Sequence, residues 1–409
     1  MSATAWIALG SLAAWVWLLL GQGFFWRTDQ RLPGVTRHRR WGRRTRPAGP
    51  APDGYGDGSW PRVAVVVPAR DEAEVLPLSL PSLLTQDYPG EAEIVLVDDG
   101  STDGTGKLAG ELAVRYSGLP LTVVSPGDPE PGWTGKLWAL RHGMALARKR
   151  DPEFLLLTDA DIAHEPDSLR LLVTAAASEG FDLVSQMARL RVATVWERLI
   201  VPAFVYFFAQ LYPFRWINGR RPRATAAAGG CVLLRTETAD RAGVPEAVRQ
   251  AVIDDVSLAR AVRRAGGRVW LGLAERVDSV RPYPRLADLW GMVARSAYAQ
   301  LRHNPLLLLG TVVALALVYL APPATLVAGL AGGDATAAVA GGLAWAVMAG
   351  TYVPMLRYYG QPVALAPTLP LTALLYLLMT VDSAGRHYRG RGAAWKGRTY
   401  GRPQAAPDR

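Results

Sequence analysis

Between residues 62 and 285, short uninterrupted apolar runs alternate with amphipathic stretches. Val63–Val67, Ala92–Val97 and Phe154–Leu157 are runs of this kind, closed by turn residues or acids, and they read as strands of a buried parallel sheet. Glu74–Gln86, Gly104–Arg115 and Lys136–Lys149 carry helical periodicity between them, the rhythm of βαβ units and so of an α/β fold. A further short run, Cys231–Leu234, predicts another strand. At both ends of the chain the pattern changes. Thr4–Trp26 is almost uncharged and, at about twenty residues, long enough to cross a bilayer. Residues 305–331, 335–356 and 361–382 are apolar again, broken by prolines and glycines. The predicted organisation is an amino-terminal anchor (1–26), a basic juxtamembrane segment and linker (27–61), an α/β domain (62–285), an amphipathic interfacial segment (286–304), two or three membrane segments (305–382) and a basic tail (383–409).

Charge gives this layout a direction. The chain has 409 residues and a formal net charge of +10. Arg27, Arg31, Arg37, Arg39, Arg40, Arg43, Arg44 and Arg46 follow the first apolar run against a single Asp29, with no small-residue cleavage site. An uncleaved anchor is expected, with the amino terminus outside and the next domain in the cytoplasm. The tail carries Arg386, Arg389, Arg391, Lys396, Arg398 and Arg402 and should also stay inside. That requires an even number of carboxyl-terminal crossings, so one of the three apolar stretches is expected to be re-entrant or interfacial. The basicity abuts a membrane segment without any nucleic-acid motif, which argues against a nucleic-acid partner. Cys231 is the only cysteine, excluding an intrachain disulfide and a thiolate zinc site.

The candidate chemistry is acidic. Asp98-Asp99-Gly100-Ser101-Thr102-Asp103 and Asp159-Ala160-Asp161 each follow a predicted strand. Strand carboxyl ends are where open α/β sheets bind ligands. An Asp-x-Asp at such an edge is a hard-oxygen site for Mg²⁺ or Mn²⁺, which in turn suits a diphosphate. Asp159 and Asp161 fall on one face of an extended segment. Adjacent strand-end side chains point oppositely, so one of Asp98 and Asp99 faces a ligand; Asp99 is favoured, with Asp98 orienting the loop. Asp71, in the turn beyond Pro68, reads either as a ligand to a ribose or base edge or as a helix cap paired with Glu74. Asp103 reads as the cap of the helix near Thr105. His164 reads as a cap or surface residue ahead of Pro166 rather than as a ligand. Lys136, opening a helix after Gly132-Trp133-Thr134-Gly135, reads either as a phosphate-binding residue or as a solvated lysine. Gly229 and Gly230, before Cys231, permit either close approach of a ligand to the backbone or a structural bulge. Asp254-Asp255 opens an amphipathic helix, a position that favours acids through the helix dipole alone. No Gly-x-Gly-x-x-Gly turn follows the first strand, which argues against a dehydrogenase.

The order Val67-Pro68-Ala69-Arg70-Asp71-Glu72, Val97-Asp98-Asp99-Gly100-Ser101-Thr102-Asp103, Asp159-Ala160-Asp161, Ile253-Asp254-Asp255-Val256-Ser257-Leu258 resembles family 2 glycosyltransferases over roughly residues 62–285. Gly132–Lys136, Ala226–Cys231, Arg281-Pro282-Tyr283-Pro284 and Trp395-Lys396-Gly397-Arg398 make the layout most similar to the hopene-associated glycosyltransferases of bacteria. The resemblance implies a GT-A fold, Rossmann-like with a mostly parallel central sheet, carrying amino- and carboxyl-terminal transmembrane helices, in a bacterial inner membrane. It implies that Pro68, Asp71, Asp98, Asp99 and Asp159 meet a nucleotide-diphosphate sugar, with a bias to uridine. It makes Asp161 the direct metal ligand, with Asp159 on the ribose or on the metal through water. Asp255 becomes the general base, Asp254 orients the acceptor, and Lys136 with the metal stabilises the departing diphosphate in one inverting displacement.

Two departures matter. Asp254 stands where the family carries Glu. The Gln-x-x-Arg-Trp motif of processive relatives is absent from Met292–Gln300, where Arg295 is left to take over a phosphate role. Transfer of a single sugar to a lipid, a hopanoid or other polyprenoid, is therefore expected; a processive polysaccharide synthase and a non-catalytic nucleotide-sugar-binding membrane protein are the alternatives. Trp196–Phe208 is unusually apolar for its place. It reads either as an interfacial segment, with Trp196, Tyr206, Tyr212 and Trp216 at head-group level, or as a buried helix on the sheet.

Overall fold

The computed structural model describes residues 1–32 and 59–389 together with two short strands, Ala394–Trp395 and Arg398–Thr399. The expected arginine cluster beyond Leu32, most of the linker and most of the basic tail lie outside the described residues. The chain divides into two compact units.

The first unit is built on an eight-stranded sheet: β1 (Val63–Ala69), β2 (Ala92–Asp98), β3 (Leu121–Val124), β4 (Phe154–Thr158), β5 (Ile162–His164), β6 (Leu183–Arg189), β7 (Cys231–Arg235) and β8 (Val269–Ser279), in the order β3-β2-β1-β4-β7-β6-β8-β5. Neighbouring strands from β3 to β4 are parallel; β7 runs against β4 and β6, and β5 against β8. The mostly parallel α/β sheet anticipated from the apolar runs is present. β1 and β4 are buried along their whole lengths, as strands covered by helices on both faces must be.

Three local features position the site. The helix Gly135–Ala147 begins at Thr134, whose Oγ accepts from the Leu137 amide at 3.4 Å. Its Gly143 lies so close to the sheet that a Cβ there would come within 2.4 Å of Val66 Cγ1 and 2.9 Å of Val97 Cγ2. That approach seats the helix, with Lys136 in its first turn, on β1 and β2. The helix Leu76–Leu84 starts later than the periodicity of 74–86 suggests and has no side-chain cap. Asp71 therefore caps nothing together with Glu74. At the opposite edge, pairing of Ile162 with Ser279 holds the end of β8 beside the Asp-x-Asp turn, and the Val280 amide donates to the Asp161 carbonyl at 2.9 Å.

The second unit gathers Met1–Asp29, Val192–Trp216 and Tyr283–Ala393. Four of its helical stretches are long and apolar enough to cross a membrane: Ala3–Leu20, Pro305–Gly332, Ala335–Tyr358 and Val363–Tyr388. All three carboxyl-terminal stretches meet that criterion. They pack as apolar helices do without water to drive them, through small residues and internal hydrogen bonds. A Cβ on Gly341 would meet Thr325 Oγ1 at 2.4 Å, and one on Gly329 would meet the Ala338 nitrogen at 2.4 Å. Trp15 Nε1 donates to the Val318 carbonyl at 2.6 Å, and Trp290 Nε1 to Asp382 Oδ2 at 2.7 Å.

The segment Val192–Trp216, which lies within the stretch expected to form the α/β domain, clusters with this unit. Its helix Val195–Leu211 is apolar around most of its circumference and packs against Ala335–Tyr358 and Leu369–Tyr388. Tyr206 is fully buried and pairs with Thr351 Oγ1 at 2.8 Å. The helix starts in a complete capping box. Glu197 Oε2 accepts from the Ala193 and Thr194 amides at 2.8 Å each, and Oε1 from the Tyr283 amide at 2.8 Å.

Candidate functional site

At the carboxyl ends of β1, β2 and β4 the sheet carries the acids singled out in the sequence. Lys136 is the hub of one cluster. Its Nζ lies 2.8 Å from Asp159 Oδ1 and 3.0 Å from Asp254 Oδ2. Burial works against its ammonium, but the two carboxylates outweigh that and hold Lys136 charged well above its ordinary range. The solvated-lysine alternative is therefore not what the fold builds. Burial also pushes the Asp159 carboxyl upward, against the pull of Lys136 and with the help of Asp161.

Asp255 is the most perturbed acid of the group. Burial, together with the neighbouring Asp254 charge, pushes its carboxyl up to about 7, although Lys136 and the Val256 and Gly229 amides pull the other way. Gly229 N–H donates to Asp255 Oδ2 at 2.9 Å, and the Val256 amide to Oδ1 at 2.7 Å. Gly229 allows close approach, but what approaches is this chain: a Cβ there would stand 3.4 Å from Asp255 Cβ and 3.5 Å from Lys136 Nζ. Gly230 has a structural part. Its carbonyl accepts from Thr158 Oγ1 at 2.9 Å and from the Asp159 amide at 3.3 Å, tying β4 to the start of β7. Pro68, Lys136, Asp159, Gly229, Asp254 and Asp255 all line one cleft.

The second acid of the Asp-x-Asp has a different partner. Arg281 Nε donates to Asp161 Oδ2 at 2.7 Å while its Nη2 meets Glu72 Oε2. Burial opposes the guanidinium's charge, and Asp161 and Glu72 outweigh it and raise its affinity for its proton. Neither Arg281 nor Glu72 was assigned a role from sequence. Arg281 stood in the Arg-Pro-Tyr-Pro run and Glu72 in the first motif, and the antiparallel β5–β8 pairing is what brings Arg281 to the Asp-x-Asp turn.

The nucleotide-side residues divide. Asp99 has no exposed surface, and Arg70 Nη1 lies 3.8 Å from its Oδ2, so Asp99 braces the loop from inside. Asp98 is half-buried and orients the loop by accepting from the Ser101 amide at 2.9 Å. Asp98 keeps the loop-orienting part expected of it, while the burial of Asp99 departs from the expectation that Asp99 faces a ligand. Asp71 adopts a left-handed backbone (φ 48°), and its Oδ1 accepts from the Thr102 amide at 2.7 Å. It locks the first loop to the second. Asp103 accepts from the Thr105 amide at 3.0 Å and the Ala73 amide at 2.9 Å; the N-cap residue of the helix Thr105–Tyr116 is Gly104, so Asp103 stands one position ahead of the cap expected of it.

His164 is neither cap nor surface residue. It is buried between Thr158 Oγ1 (3.0 Å) and Ser168 Oγ (3.2 Å), and burial lowers its pKa to about 4, leaving it neutral and structural. Arg295 is exposed at the end of the helix Leu286–Ala294, in the unit of apolar helices.

The donor set can be tested against a divalent metal. No cluster of three or more His, Cys, Asp or Glu side chains poised for a metal occurs among the described residues. Asp159 and Asp161 nevertheless offer two hard carboxylates at one strand end, and one or two carboxylates plus phosphate oxygens is a normal shell for Mg²⁺ or Mn²⁺. Each uses one oxygen for an internal cation. The pair fits a metal whose shell a diphosphate completes.

Residues 61–298 match the model of the glycosyltransferase-like family 2. The chain belongs to that family. The eight-stranded, mostly parallel sheet is accordingly a GT-A fold. Among curated proteins, the chain is 30% identical over 132 residues to undecaprenyl-phosphate 4-deoxy-4-formamido-L-arabinose transferase of Proteus mirabilis, covering 32% of this chain and 38% of that one. It is 32% identical over 147 residues to polyprenol monophosphomannose synthase of Mycolicibacterium smegmatis, covering 34% and 51%. The chain thus spans at most about half the length of these relatives. A mannosyltransferase from Pyrobaculum calidifontis, solved with GDP-Man and Mn²⁺, aligns over 92% of this chain and 99% of its own at 20% identity and a TM-score of 0.49.

Proposed function

We propose that this protein is a membrane-bound inverting glycosyltransferase that moves one sugar from a nucleotide-diphosphate sugar to a lipid acceptor of the polyprenoid class. The carrying observation is Asp255. It is a half-buried carboxyl with a pKa of about 7, anchored by the Gly229 amide, in the same cleft as a lysine that bridges Asp159 and Asp254. A base poised near the working pH is what proton removal from an acceptor oxygen needs. Four helices fit to span a membrane, and relatives named for polyprenyl acceptors, support the lipid class.

In this reading Asp255 takes the acceptor's proton as that oxygen attacks the anomeric carbon, and the bond to the diphosphate breaks in the same displacement. Asp254, one methylene shorter than the family's Glu, holds Lys136 at the mouth of the cleft. Lys136 stabilises charge growing on the leaving diphosphate. Asp159 and Asp161 would hold Mg²⁺ or Mn²⁺, which supplies further charge neutralisation there when bound. The loops that Asp71 and Asp98 order face the nucleotide. The domain faces the cytoplasm on the positive-inside argument.

Full-length protein in detergent, given Mn²⁺, a panel of nucleotide sugars and a total bacterial lipid extract, should produce a lipid heavier by one sugar mass. A ladder of sugar masses would indicate a processive synthase instead. Nucleotide binding with no shifted lipid would favour a non-catalytic binder.

A further inference from the structure

Asp161 is occupied on one side by the chain itself, and the occupant is built in. The Arg281 guanidinium is shared between Asp161 and Glu72, and the side chains of Arg281, Asp161 and Glu72 are 25%, 14% and 7% exposed. The backbone fixes both ends of this bridge. Ile162 pairs with Ser279, and the Val280 amide donates to the Asp161 carbonyl, which holds the backbone of Arg281 beside the Asp-x-Asp turn while its side chain can change partner. The Glu72 amide donates to Thr105 Oγ1 at 2.8 Å, which pins the other acid.

A divalent cation arriving alone must pull Asp161 away from a guanidinium that stays charged at any working pH. The displaced Arg281 would be left with Glu72 only, in a partly desolvated place where an underpaired charge is costly. A nucleoside diphosphate changes that balance. Its phosphate oxygens match the guanidinium fork and replace the carboxylate that Arg281 gives up. We propose that Arg281 is an internal counter-cation that holds Asp161 closed to free metal and transfers to the donor's diphosphate when metal and nucleotide enter together. Metal and diphosphate then bind cooperatively, and Arg281 is the residue that couples them. This rests on the reading that the cluster receives a nucleotide-diphosphate sugar.

The test is Mn²⁺ binding, followed by the electron paramagnetic resonance of free Mn²⁺, on the full-length detergent-solubilised chain. It is run alone and with UDP or GDP, and corrected for Mn²⁺ held by nucleotide in solution. For the native chain, UDP or GDP should tighten Mn²⁺ binding by a factor in the usual range of site coupling, about 5- to 150-fold. Arg281→Ala should bind Mn²⁺ alone more tightly than the native chain. It should bind the Mn²⁺-nucleotide about tenfold more weakly, the loss of one charge-assisted contact, so that coupling falls toward one. Arg281→Lys, which keeps the charge and loses the fork, should keep the weak binding of Mn²⁺ alone and recover part of the coupling. If Arg281→Ala fails a thermal-unfolding check, Arg281→Gln takes its place, a shorter side chain that keeps a polar hydrogen-bonding amide without charge. Unchanged coupling in the variant, or Mn²⁺ affinity of the free protein equal to or below native, overturns the proposal while leaving the donor reading intact. If neither nucleotide binds the native chain with or without Mn²⁺, the nucleotide-diphosphate reading fails and takes this proposal with it.

Discussion

Single residues at the cleft are set by a balance of burial against charge. Asp255 carries the largest consequence. A carboxyl held up to about 7 is protonated through mildly acidic pH, so as a base it gains activity as pH rises. Turnover should climb through pH 6–8 and then level, and Asp255→Asn should lower it by about 10²- to 10⁴-fold; a flat profile would remove Asp255 from the role. Stability runs the opposite way. The folded-state pKa lies above the unfolded value of about 3.9, so the stability this group contributes is full below pH 4 and is lost as pH rises through 7. Asp255→Asn should therefore raise Tm at pH 8, by an amount that shrinks toward pH 5. Asp98, Asp99, Asp159 and Asp161 were recognisable from their places after apolar runs, and Lys136, Asp254 and Asp255 from theirs at helix starts. Arg281 and Glu72 were not, because an ion pair across the sheet leaves no local pattern. Nor was the burial of Asp99, which depends on Arg70 folding back over the loop.

Elements reach their places through a few close contacts. The helix that presents Lys136 rests on β1 and β2 at Gly143, where any side chain must displace Val66. Gly143→Ala should destabilise the α/β unit by about 1–3 kcal/mol, the usual cost of overpacking, seen as a lower Tm, with Lys136 chemistry impaired in proportion. The helix Val195–Leu211 is anchored by Glu197, which is fully buried and satisfies three backbone amides. Glu197→Ala should cost about 1–3 kcal/mol for each donor left bare, and more than Thr194→Ala, which loses one cap worth about 1 kcal/mol. The strands were legible because Val63–Val67 and Phe154–Leu157 have no other comfortable home. The destination of Val195–Leu211 was not. An all-round apolar helix is equally at ease on a sheet or among other apolar helices, and its sequence does not choose between them.

For the whole molecule, four helices long and apolar enough to cross a membrane share one chain with the family 2 glycosyltransferase region. Orientation is open to a direct check. In a Cys231→Ala background, Ser2→Cys should react with an impermeant maleimide added to intact cells, and exposed Ser125→Cys should react only after lysis. The reverse pattern would place the catalytic unit outside. The number of carboxyl-terminal crossings was not legible, since length and apolarity qualify all three stretches while the charge of the tail asks for an even count. The central claim is a single displacement based at Asp255, and the anomeric configuration of the lipid-linked product tests it most directly. Proton NMR of that product, made from a nucleotide sugar of known anomer, should show the opposite configuration, with Asp255→Asn giving almost none. A product that retains the donor's configuration, or an Asp255→Asn variant as active as the native chain, would contradict the account.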